Sequence, residues 1–178
     1  GYGTHSGTMI DSAMPMFYLY YQLLWNVELE ADEVIDTMLS DLYGEAKKPI
    51  AAWYDHWEDC WMRQTKTKWF YGMDDFFGEI RIYTRSDIRK GKELLEKATA
   101  LAEKEQEDEA VKERIQFLRD RYAYTYAAAQ AYFAAWDAIH SEPGSLQKAM
   151  ERSAAVTAAW EEFARVAKDK EKLSGTTP

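Results

Sequence analysis

A chain of 178 residues, 47% hydrophobic and 30% charged, is long enough to bury a sizeable core as one domain and too apolar to belong with disordered proteins. Its formal net charge of −9, with no basic stripe to offset it, argues against a nucleic-acid backbone as partner. The lone cysteine, Cys60, excludes an intramolecular disulfide and a cysteine-built metal cage, and no apolar run reaches the ~20 residues a bilayer demands.

In chain order, residues 1–11 read as a loop, with glycines spaced among Thr4, Ser6 and Thr8. Asp11 or Ser12 can cap the helix that follows, and Pro15 belongs in its first turn. From Met14 to Trp25 the one strongly polar side chain is Gln22. A helix that is apolar all round is buried all round. This one is therefore expected between two layers or, where the chain's own helices cover only one side, with a strip at Met16, Tyr20 and Leu23 that is either exposed or covered by another molecule, a second copy of the chain included.

The second helix, Asp32 to Tyr43, is apolar on one face at Val34, Ile35, Met38, Leu39, Leu42 and Tyr43, and Gly44 stands where a left-handed C-cap belongs. A third helix is predicted from about Glu45 to Lys66, facing inward with Ile50, Trp53, Tyr54, Trp57, Cys60 and Trp61. Between two tryptophans, Cys60 reads as a buried, inert thiol. Residues 69–84 break the period, with Gly72 and Gly78 as punctuation and a weak extended alternation over 79–83. Ser86 or Thr84 caps a fourth helix to about Lys104, and the acidic run after it makes a solvated corner. A fifth helix spans about Asp108 to His140, some thirty residues or roughly 45 Å at 1.5 Å per residue. The turn Ser141 to Ser145 leads into a last helix, Leu146 to Leu173. The pattern specifies an all-α protein, a helical bundle of about five to six helices, with 1–11 as a terminal loop and 12–178 as a single helical domain.

The run YLYYQLLWN, an acidic turn, and then DEVIDTMLSDLYG with Ala46 and Pro49 resembles a bacterial glycoside-hydrolase-like family of unknown function, allied in architecture to alpha-glucuronidases. The matching positions are Tyr18, Tyr21, Leu23, Leu24, Trp25, Asn26, Tyr43, Gly44, Ala46 and Pro49; Val27 stands where that family usually has proline. The likeness covers residues 1–61 well, thins over 82–122 and is general helix character beyond. It implies a (β/α)8 barrel upstream, with this motif where the last barrel helix passes into a helical domain. It also implies an export signal upstream, a periplasmic or extracellular location and a glycan ligand.

The chemistry-bearing residues are few. Asp137 and His140 form one D-x-x-H pair, where a bundle metal site needs two and more carboxylates; a histidine at a helix C-terminus is favoured by the dipole alone. His56 with Glu58 and Asp59 does not make the H-E-x-x-H spacing of zinc hydrolases. No pair of glycosidase carboxylates is assignable, and the resemblance puts them on barrel strands outside the chain. Two stretches are candidates for contact with sugar. In the opening loop these are Tyr2, His5 and Asp11, because loops after barrel strands line the active-site face. In the aperiodic stretch they are Trp69, Tyr71, Asp74 and Asp75, with Phe76 alongside, because aromatic faces pack on sugar C–H groups while acids accept from hydroxyls. The expectation is a non-catalytic C-terminal helical domain that buttresses a barrel and shapes its glycan cleft, without cofactor or metal. The alternative is a free-standing interaction module that dimerises or docks through its aromatic first helix.

Overall fold

The computed structural model describes residues 10–63, 80, 82–141 and 144–173. Among them are six α-helices, one 3-10 turn and no strand: α1 (Ile10–Trp25), α2 (Ala31–Tyr43), the 3-10 turn Gly44–Ala46, α3 (Lys47–Met62), α4 (Arg85–Lys104), α5 (Glu109–His140) and α6 (Leu146–Leu173). The protein is an all-α helical bundle. Side-chain capping explains several boundaries. Thr84, rather than Ser86, caps α4; Asp108 caps α5 by accepting from Val111 N at 2.8 Å; Ser145 stands at the start of α6.

The chain divides into two compact units, Gly1–Asp55 with Glu93–Arg119, and His56–Lys92 with Asp120–Pro178. Helices α3, α4 and α5 each give one part to each unit.

In the first unit α2 lies against α1 and buries Val34, Met38, Leu39 and Tyr43. Ile50 and Trp53 of α3, Leu94 and Leu95 of α4, and Val111, Ile115 and Leu118 of α5 are its other large buried positions. The α4–α5 corner is built without glycine. Gln106 takes φ +56°, Gln106 N–H bonds the Glu103 carbonyl and Glu107 N–H bonds the Ala102 carbonyl, which together make a Schellman motif. Gly44 also has positive φ, but its pair of φ +49° and ψ −129° differs from the left-handed cap expected of it. The backbone there bends into the 3-10 turn instead of simply ending a helix, and Glu45 N–H is held by Glu107 Oε1 at 2.6 Å.

Helix α1 corrects the sequence reading. It starts at Ile10, so Asp11 belongs to the helix and not to the loop, and Pro15 falls beyond the first turn. It is not sandwiched: no described side chain from Met14 to Trp25 is fully buried. Of the expected strip, Met16 is exposed but Tyr20 and Leu23 are half-buried. The exposed edge is Tyr21 (51%), Leu24 (59%) and Trp25 (89%), continued by Val27 (78%) in the turn. The half-burial of Tyr20 and Leu23 puts them on the covered side of the helix, which turns the edge one position along it.

The second unit has a core of Ile80, Ile88, Ala128, Ala129 and Phe133, with Trp57, Tyr83, Tyr126, Tyr132 and Phe163 packed on it. The alanines of α5 let neighbouring elements come close, and Phe163 brings α6 in against Tyr124 at 5.3 Å between ring centroids. Trp57 packs edge-on to Tyr83 at 5.3 Å, and Tyr122 donates to the Ile88 carbonyl at 2.6 Å. Both Trp57 and Tyr122 press on Gly91, where an added Cβ would stand 2.7 Å from the Tyr122 hydroxyl oxygen and closer still to the Trp57 ring. Of the extended alternation expected over 79–83, residues 79 and 81 lie outside the described residues, and Tyr83 N–H bonds the Ile80 carbonyl as in a turn rather than a strand.

Candidate functional site

His56 and Cys60 stand one helical turn apart on α3 and therefore on one face. Asp87 is the third residue of α4 and belongs to its cap. Its Oδ2 accepts from Thr84 N and Thr84 Oγ1, each at 2.8 Å, while its own N–H donates to Thr84 Oγ1 at 3.1 Å. This is a capping box with Asp in the reciprocal position, and it pins the carboxylate. Arg63, just past the end of α3, brings Nη2 to 2.9 Å from Asp87 Oδ2 and 3.1 Å from Cys60 Sγ. His56 Nε2 lies 3.7 Å from Cys60 Sγ and 3.0 Å from the Asp87 carbonyl oxygen. These four side chains, with Asp59 and Met62, line a cavity of about 400 Å³.

The electrostatics decide what this cluster can do. Burial pushes the Cys60 thiol up and the Asp87 carboxylate pushes it further, against a smaller opposing pull from Arg63. A nucleophilic cysteine needs the opposite shift. His56 Nε2 also faces the Asp87 carbonyl; when it donates there it has no lone pair for the thiol proton. The thiol stays protonated, and the cluster is not a poised Cys–His nucleophile. For Asp87, burial alone would raise the carboxyl, but the two Thr84 hydrogen bonds and the Arg63 guanidinium outweigh it and hold it below its ordinary value. The donors His56, Cys60 and Asp87 lie within 4.8 Å of one another and are the set among the described residues that can hold a metal ion.

The sequence-derived candidates fall elsewhere. Tyr2, His5, Trp69, Tyr71, Asp74 and Asp75 lie outside the described residues, and Asp11 is the second residue of α1. Asp137 and His140 go to different partners. Arg85 Nη2 pairs with Asp137 Oδ1 at 2.7 Å, and the His140 ring stacks on Trp136 at 3.8 Å. The convergence of His56, Cys60 and Asp87 was missed from sequence. Its legible part is the H-x-x-x-C spacing; the third member comes 31 residues later.

The second candidate is the α1 edge described above, an apolar surface at the end of a helix that faces water. No protein-family model, curated protein or solved structure matches this chain. No helix among the described residues is long and apolar enough to cross a membrane.

Proposed function

We propose that this chain is a non-catalytic helical domain of a larger, glycoside-hydrolase-like protein, and that it docks the α1 edge on that protein's catalytic barrel. The observation that carries the reading is the exposure of Tyr21, Leu24 and Trp25 together. Large apolar side chains each forfeit roughly 1.5–3 kcal/mol when left in water. All three belong to the stretch that resembles the junction between barrel and helical domain, which makes the barrel the fitting cover. Contact with glycan, within this reading, is assigned to Trp69, Tyr71, Asp74 and Asp75.

The test uses the full reading frame that contains the chain. A barrel is expected upstream, and Leu24→Glu with Trp25→Glu should release the helical domain from it, seen as separate melting transitions and new proteolytic cleavage between the two. A reading frame without a barrel, or a double variant that melts as one unit with it, overturns the reading. Should light scattering of the isolated chain give a dimer that this double variant dissociates, the edge serves self-association and the free-standing module replaces the barrel-docked one. Titration with oligosaccharides, followed by tryptophan fluorescence, tests the glycan contact; no change at millimolar sugar removes it.

A further inference from the structure

Capping accounts for the meeting of Asp87 with Thr84, and ion pairing for the meeting of Asp87 with Arg63. Beyond these contacts, His56 Nε2 and Cys60 Sγ stand one helical turn apart beside the same aspartate, so that three ligand types converge. In tetrahedral zinc sites, with sulfur at about 2.3 Å and nitrogen at about 2.0–2.1 Å from the metal, the two ligand atoms stand about 3.6 Å apart. The His56 Nε2 to Cys60 Sγ separation is 3.7 Å. Asp87 adds a carboxylate that its capping box holds in place, and all three donors lie within 4.8 Å of one another. Hydrogen bonds that orient a ligand in this way are what metal sites use outside their first ring of ligands. The cavity leaves one side open for water.

The gap between the sulfur and the carboxylate is already spanned by a cation. Arg63 Nη2 touches both the sulfur and the carboxylate, at 3.1 and 2.9 Å. We propose that His56, Cys60 and Asp87 form a three-ligand site for a zinc-class divalent transition metal, with water as fourth ligand and Arg63 as the resident cation that the metal displaces. Thiolate, imidazole and carboxylate together favour a borderline-soft ion over calcium or magnesium, which take all-oxygen shells. On binding, the thiol gives its proton to water, the imidazole proton moves to Nδ1 so that Nε2 can ligate, and the half-exposed Arg63 side chain swings into solvent.

The inference stands apart from the docking reading, and its test needs nothing but this chain and metal salts. Cobalt(II) should bind with one equivalent and give a near-ultraviolet thiolate-to-cobalt band with the visible bands of tetrahedral cobalt. Cys60→Ser should remove the ultraviolet band. His56→Gln and Asp87→Asn should each weaken binding by at least about tenfold. Arg63→Gln should tighten it several-fold, because no resident cation then has to leave. In the unaltered protein, zinc should raise the melting temperature, a reading that needs no variant to fold. Absence of the band, or a melting temperature unmoved by zinc, overturns the site. A band that survives in both His56→Gln and Asp87→Asn marks adventitious binding to one thiol and overturns it equally. Unchanged affinity in Arg63→Gln removes Arg63 from the mechanism.

Discussion

Asp87 holds three hydrogen-bonding partners on one oxygen, and its low pKa ties that arrangement to folding. Folding lowers this carboxyl below its ordinary 3.8, so the stabilisation is complete above that value and drains away as pH falls through the lower, folded value. Asp87→Asn keeps a capping side chain without the charge. The gap in stability between the two proteins, read from urea melts, should therefore be widest near neutrality and shrink as pH falls below about 4. A gap that stays constant down to about pH 3 would contradict this. Gln106 offers a test of opposite sign. It sits at φ +56° in the position where glycine is the usual residue. Gln106→Gly should stabilise the protein by about 0.5–1 kcal/mol, because relief of the left-handed backbone outweighs the extra freedom of glycine when unfolded. A fall in melting temperature would show the Schellman geometry to be unstrained.

At the scale of elements, α4 depends on a residue that helix propensity disfavours. Gly91 costs about 1 kcal/mol relative to alanine in a helix interior. It is tolerated because Trp57 and Tyr122 occupy the space a Cβ would need. Gly91→Ala should therefore destabilise, with an overpacking cost of about 1–3 kcal/mol exceeding the propensity gain, and thermal denaturation should show it as a lowered midpoint. A raised midpoint would mean that the two rings give way freely. The starts of α4, α5 and α6 are legible because Thr84, Asp108 and Ser145 are strong capping residues placed before clear helical periods. The corner at Gln106 was not, since a left-handed residue is read from glycine and none is there. The site was half legible. One turn of α3 places His56 beside Cys60, but only the packing of α3 against the start of α4 supplies Asp87.

For the whole molecule, α1 shows where sequence reasoning overreached. An all-round apolar helix implies cover on every side or a strip left for a partner; the exposed edge is present, but along Tyr21, Leu24 and Trp25, while Tyr20 and Leu23 of the expected strip are half-buried. Trp25 is 89% exposed, so Trp25→Glu should change the stability of the isolated chain by no more than about 0.5 kcal/mol, measured by urea denaturation. Trp53→Ala, by contrast, removes a side chain that is 5% exposed and should cost about 3–5 kcal/mol. Equal losses from both would mean that the α1 edge is covered in solution.

The polypeptide passes from one compact unit to the other after Asp55, after Lys92 and after Arg119, each time within a helix. No single cut in the gene therefore separates the units. A recombination event at any of these three crossings would transmit half-helices whose inward faces had lost their neighbours. Inheritance would favour duplication or fusion of this segment as an undivided block, with new domains joined at its ends rather than spliced into its middle.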